Sequence, residues 1–130
     1  SADIYKDIVN FPDKFDTLCG ENGLSLSGGQ KQRISLARAL LKDSNLVVLD
    51  DCLSALDTRT EKNILRELKK LKKTVILSTH RLNQIDDFDL IIVMKDGQIS
   101  EMGTHSELME NKQWYYNQYN IQLVRGRYEE

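Results

Sequence analysis

The chain has 130 residues and a formal net charge of −2, with 40% hydrophobic and 29% charged residues. That balance fits one soluble globular domain and excludes a disordered chain, while the near-neutral charge argues against nucleic acid as the main partner. Two cysteines and two histidines suggest neither a disulfide scaffold nor a zinc site.

In chain order, residues 3 to 11 predict a short helix ended at Phe11-Pro12, because proline disfavours helix at the residue before it. Residues 12 to 26 are loop-rich, with Gly20, Asn22 and Gly23. Ser27 and Gln30 have capping-box spacing and predict a helix start. Its apolar stripe is expected at Ile34, Ala37, Leu40 and Leu41, and its end at Asp43-Ser44-Asn45. Leu46 to Leu49 is a continuous apolar run between turn residues, the pattern of a strand buried on both faces of a parallel sheet. Thr58 and Glu61 predict a second capping box and a helix with Ile64, Leu65, Leu68 and Leu71 inward. The run Lys69, Lys70, Lys72 and Lys73 reads as a solvated helix end complementing the C-terminal dipole.

Thr74 to Ser78 predicts a second buried strand, and a short helix is expected around Arg81 to Ile85. Asp89–Met94 and Gln98–Met102 read as a hairpin through Asp96-Gly97. Leu90 to Met94 is the longest apolar run, far below the roughly 20 residues that span a bilayer. The first residues carry no signal-peptide pattern, so an intracellular chain is expected. Thr104 and Glu107 predict a third capping box. The tail, with Trp114, Tyr115, Tyr116 and Tyr119, reads as one or two amphipathic helices whose aromatics pack onto the domain rather than stack on bases.

Helices alternating with strands imply α/β with at least part of a parallel sheet. In such sheets ligands sit beyond the carboxyl ends of the strands. Asp50 and Asp51 end one strand, and Thr79 and His80 end the next. A strand ending in acid can place a carboxylate near the magnesium of a nucleotide, although Asp50 could equally cap a turn. Two adjacent carboxylates repel, which favours a nearby cation. His80 reads as a structural hydrogen-bonding group or as a second occupant of the same crevice. Ser54-Ala55-Leu56-Asp57 is a polar turn before a helix, where Asp57 could be part of the cap. Ser27-Gly28-Gly29-Gln30 offers backbone N–H groups, a hydroxyl and a helix N-terminus, the ingredients for an anion or simply for a tight helix entry.

In this order and spacing, "LSGGQKQR", "LVVLDD", "SALD" and "STHR" resemble the C-terminal half of an ATP-binding cassette (ABC) ATPase domain, from about Ile4 to about Met109. The resemblance implies a partial P-loop-NTPase-like parallel sheet with flanking helices, a remnant of the signature-helix subdomain and a C-terminal hairpin. It implies a division at about 1–41, 42–110 and 111–130: the end of the helical subdomain, the second half of the catalytic core and a helical tail. Leu26 to Gln30 takes the place of the signature motif, with Ser27, Gly28, Gly29, Gln30 and Asp57 binding nucleotide. Asp50 takes the place of the residue that holds magnesium, usually through water. Asp51 takes the catalytic-base position, Ser54 to Asp57 the D-loop and His80 the switch position. The segment 17–23, "TLCGENG", resembles the loop of exporters that lies against the membrane domain, with Glu21 and Ser54 as partner-binding residues. "MKDGQISEMGTHSELM" resembles the hairpin and helix that follow in exporter-type domains.

Two departures shape the expectation. The chain carries no G-x-x-x-x-G-K-[ST] loop: Gly23 and Gly28 have the glycine spacing, but Gly29-Gln30 follows. A chain truncated upstream of the signature, and inactive by itself, is therefore expected. Asp51 stands where the family usually has Glu, one methylene shorter, which resembles the degenerate subunit of a heterodimeric exporter. The retained His80 leaves a homodimer open. The function implied is ATP hydrolysis coupled to export, with ATP and magnesium as cofactors and a second ABC subunit as partner at the cytoplasmic face of a membrane. The alternatives are a soluble ABC ATPase of DNA repair or translation, or a non-catalytic interaction module.

Overall fold

A computed structural model describes residues 2–20 and 24–128. They form two compact units that meet in sequence at Thr79 and His80.

The first unit opens with α1 (Tyr5–Val9) and a 3-10 turn at Lys14–Asp16. Helix α2 (Gly28–Leu41) begins at the expected capping box: Gln30 N donates to Ser27 Oγ at 3.1 Å, and Ser27 N donates to Gln30 Oε1 at 3.0 Å. Two of the donors that a helix start leaves unsatisfied are thereby paired. The buried stripe is displaced from the expected one. Leu36 is the buried residue of α2, Ile34, Ala37 and Leu40 are half-buried, and Leu41 is 85% exposed. The helix rotates to bury Leu36 because polar Gln32 and Arg33, one turn earlier, also face inward and find partners there.

Strands β1 (Leu46–Asp50) and β2 (Thr74–Ser78) pair in parallel, Leu46 opposite Thr74 through to Asp50 opposite Ser78. The expectation of burial on both faces fails. Val47 and Leu49 are each 4% exposed, whereas Leu46, Val48 and Ile76 are 50%, 61% and 53% exposed. Side chains alternate across a strand, and no described element of the first unit covers the second face. Helix α3 (Thr58–Lys69) is capped one residue earlier than expected. Asp57 Oδ2 accepts from Thr60 N at 3.1 Å. An aspartate one position upstream is the better cap, so Thr58 becomes the first helical residue. Ile64, Leu65 and Leu68 are buried as expected, and Leu71 is half-buried in the turn beyond. The lysine run is more than a solvated end: Lys73 Nζ donates to Lys42 O at 2.7 Å, closing the end of α2, and Lys70 pairs with Glu67 at 3.0 Å.

The second unit starts with turns rather than the helix expected at Arg81 to Ile85. Leu82 and Ile85 are buried three residues apart, and Ile85 N and Phe88 N each bond a carbonyl three residues back. Successive turns bury an i, i+3 pair as a helix would, and Asn83, Asp86 and Asp87 favour turns. The hairpin forms around the expected turn, with β3 (Ile91–Lys95) starting two residues later than expected and pairing antiparallel with β4 (Gln98–Gly103). Asp96 and Gly97 both have positive φ, 51° and 74°, as the tight turn between right-twisted strands requires. Thr104 Oγ1 accepts from Glu107 N at the start of α4 (His105–Asn111).

The aromatic tail is one helix, α5 (Trp114–Tyr128). Tyr115 is fully buried and bonds His105 Nδ1 through its hydroxyl at 2.9 Å, while Tyr119 lies 4.7 Å, centroid to centroid, from the same imidazole. Buried Glu101 Oε2 accepts from Tyr115 N at 2.9 Å, a carboxylate at the positive end of α5. Tyr115 and Tyr119 pack within the unit as expected, whereas Trp114 is 50% exposed.

Candidate functional site

The first unit brings the signature-like segment and the turn after β1 into contact. Gly28 and Gly29 lie in the first turn of α2, where N–H groups have no carbonyl a turn back to pair with. No acidic residue occupies that turn. Ser27 Oγ accepts from Gln30 N and still carries its own proton, so it can donate to an anion. Ser27 and Gly28 are exposed, and Gly29 and Gln30 are half-buried. This arrangement suits an anion on geometry and on the helix dipole together.

The glycines have a second reason to be there. A Cβ at Gly29 would lie 3.1 Å from Ala55 O and 3.4 Å from Leu56 Cδ2, and one at Gly28 would lie 3.6 Å from Ala55 Cβ. Close backbone approach between α2 and the 51–57 turn, and not only between backbone and ligand, requires glycine at 29.

β1 delivers Asp50 and Asp51 to its carboxyl end, both exposed. Asp51 N donates to Ser78 O at 3.1 Å, extending the ladder by one bond. Asp51 then turns to φ 46°, a left-handed conformation that aspartate tolerates better than most residues. Ser54 Oγ donates to Asp51 O at 3.2 Å. Asp57 caps α3, and its bonds from Thr60 hold its carboxyl below the usual carboxylate range. Cys52 lies between these groups; burial pushes its thiol up, and the Asp51 and Asp50 charges add to that, so it stays protonated and unreactive.

Among the described residues no group of three or more acidic, histidine or cysteine side chains could hold a metal ion. The Asp50 carboxylate is the kind of oxygen ligand a hard divalent cation takes. Magnesium is commonly held by one or two carboxylates, with phosphate and water completing its shell.

His80 opens the second unit, where its carbonyl accepts from Gln122 Nε2 at 2.9 Å. Glu21 lies outside the described residues, as do Asn22 and Gly23 of the 17–23 segment.

Two residues escape the sequence reading. Gln32 links α2 to the 51–57 turn through both ends of its carboxamide. Arg33 pairs with Asp7 at 2.7 Å and donates to Asp3 O at 2.6 Å and Gly29 O at 3.3 Å, tying α1 to the first turn of α2. The available signal was their spacing: with Gly29 and Leu36 they share one helix face, which an apolar count passes over.

Comparison with known proteins defines the class. A profile described as ABC transporter matches residues 2–54. The chain is a segment of an exporter-type ABC ATP-binding domain. It is 47% identical to the multidrug resistance-like ATP-binding protein MdlA of Buchnera aphidicola subsp. Schizaphis graminum, over 98% of this chain and 22% of that protein. It is 46% identical to the probable multidrug resistance ABC transporter ATP-binding/permease protein YheI of Bacillus subtilis, over 95% of this chain and 21% of that protein. Among solved structures, a bacterial Atm1-family ABC exporter with ATP bound superposes with a TM-score of 0.87 at 40% identity, covering 94% of this chain and 22% of that one. The chain thus spans about a fifth of the length of these relatives. No described helix is long and apolar enough to cross a membrane.

Proposed function

We propose that these residues serve the ATP-hydrolysing machinery of a membrane exporter, and that Ser27 to Gln30 act on a nucleotide held by an opposing ABC subunit. The reading rests above all on the capped first turn of α2, which joins a hydroxyl proton and glycine N–H groups with no acid beside them. That geometry suits the terminal phosphate of an ATP whose other phosphates lie on another chain. A nucleotide bound there would bring magnesium, which would neutralise developing phosphate charge.

In this reading Asp50 holds magnesium through water and Asp51 occupies the position of the base. The shorter Asp51 side chain retracts the carboxylate, and a base must come within about 3 Å of the attacking water. Turnover at the site Asp51 serves is therefore slow, and the protein works as the weaker half of a heterodimer. Ser54 and Asp57 meet the opposing subunit and its nucleotide, and His80 takes the switch position. The 17–23 segment with Glu21 meets the membrane domain. Residues 1–41, 42–110 and 111–130 are then the end of the helical subdomain, the second half of the catalytic core and a helical tail.

In the full-length protein with its partner, Ser27→Ala or Gly28→Val lowers ATP turnover by roughly tenfold or more, whereas Asp51→Asn has a much smaller effect. Equal losses would refute the asymmetric assignment. The 130 residues alone show no ATPase and weak ATP binding, and micromolar binding by calorimetry would contradict that.

A further inference from the structure

Gln32 lies two residues beyond Gln30, the last residue of the signature-like segment, on the half-buried face of α2. Its Nε2 donates to Ser54 Oγ at 3.1 Å, and its Oε1 accepts from Ala55 N at 3.0 Å. Ser54 Oγ passes its own proton to Asp51 O at 3.2 Å. One carboxamide thus fixes a backbone amide of the 51–57 turn and, through one hydroxyl, the carbonyl of the residue held at φ 46°. The same turn lies against Gly29, whose missing side chain leaves room for Ala55 O. Among uncharged side chains only a carboxamide offers a fork of donor and acceptor at this reach.

We propose that Gln32 is a positioning residue for the phosphate chemistry, locking the turn that carries Asp51, Ser54 and Asp57 onto the first turn of α2. The inference rests on the reading above, in which Ser27–Gln30 serve a nucleotide on the opposing subunit and Asp51 serves this subunit's own. Gln32 then joins the two sites. Two side-chain hydrogen bonds, Gln32 Nε2 to Ser54 Oγ and Ser54 Oγ to Asp51 O, carry a shift of the α2 start to the backbone of the residue at the other site. Because turnover runs mainly at the site Ser27–Gln30 serve, the loss falls there: without the clamp the first turn of α2 loses its seat against Ala55, and a misplacement of about an ångström is enough to cost a large factor in rate.

Leucine has nearly the volume of glutamine and makes neither bond. Glutamate keeps the acceptor for Ala55 N, but Ser54 has one hydroxyl proton and must choose between that new carboxylate and Asp51 O.

The test uses the full-length protein with its partner, and reads local hydrogen exchange and ATP turnover together. Gln32→Leu should speed exchange of the Ala55 amide by roughly fivefold, the worth of one ordinary hydrogen bond, with the rest of α2 unchanged. It should lower kcat by roughly tenfold while KM for ATP stays within about twofold. Gln32→Glu should leave the Ala55 amide protected. Ser54→Ala should reproduce the turnover defect, and Gln32→Leu with Ser54→Ala should be no slower than the slower single variant, because both break one chain of bonds.

Unchanged exchange at Ala55, unchanged kcat, or faster exchange throughout α2 in Gln32→Leu would each overturn the proposal. If Gln32→Leu fails to fold, normal turnover in Ser54→Ala does so by itself. Normal turnover in Ser27→Ala sinks instead the reading on which this rests. Low turnover in Ser27→Ala beside normal turnover in Gln32→Leu sinks only the role of Gln32.

Discussion

Two neighbouring glycines give the sharpest test of the packing at the site. Replacing a helical glycine by alanine ordinarily stabilises, by up to about 1 kcal/mol, through lost backbone entropy in the unfolded chain. At Gly28 nothing opposes that gain, because the added Cβ would sit 3.6 Å from Ala55 Cβ, an ordinary contact. At Gly29 the same atom would sit 3.1 Å from Ala55 O and 3.4 Å from Leu56 Cδ2. The obstructing oxygen is backbone, in a turn pinned through the Ala55 amide by Gln32, so it cannot swing aside as a side-chain tip would. Overpacking of this kind costs about 1–3 kcal/mol. Gly29→Ala is therefore net destabilising by about 1–2 kcal/mol, and Gly28→Ala neutral or stabilising. Native-state hydrogen exchange on the full-length protein, followed at α2 and at residues 51–57, resolves the two. Gly29→Ala should lose roughly tenfold in protection at both segments relative to Gly28→Ala. Equal protection in the two variants would refute the close approach of α2 to the turn.

Two further predictions concern the packing of each unit. Burial, with the Tyr119 and Asp86 charges adding, pushes the Tyr115 hydroxyl up to about 12 from 10.0, so the neutral phenol is the form the folded state favours. That contribution is fully present below pH 10.0 and is lost as pH rises towards 12; Tyr115→Phe should remove this alkaline step from a tyrosinate-absorbance titration followed alongside helix content. Ile64 is 1% exposed in the first unit, and Ile64→Ala should cost about 2–5 kcal/mol, visible as a lowered thermal midpoint, while the equivalent change at 85%-exposed Leu41 should cost little.

The sequence was most legible where one local signal had no competitor. Ser27 with Gln30 could cap only one helix start, and Asp96-Gly97 could close only one hairpin, because positive φ at both positions excludes most other pairs. Legibility fell where two local choices were close in energy. Asp57 outbids Thr58 as a cap by one position, and Leu82 with Ile85 satisfies a turn as well as a helix. It failed where the partner was distant in sequence. Gln32 to Ala55 spans 23 residues, Arg33 to Asp3 spans 30, and nothing in either local pattern marks those bonds. The signature-like segment, the strand-end acids and the polar turn were readable as separate pieces. Their mutual clamp was not.

The uncovered side of the β1–β2 pair bears on how this polypeptide behaves when handled. Leu46, Val48 and Ile76 make a ridge of branched side chains across two adjacent strands, with Val48 and Ile76 directly opposite in register. Such a ridge is half of an oily interior, and water is a poor substitute for the other half. At preparative concentrations the 130 residues would meet this demand with copies of themselves. Scattering over a dilution series should show mass falling as the protein is diluted, and a lysine in place of Val48 should break the association while Val47 and Leu49 keep the opposite face closed.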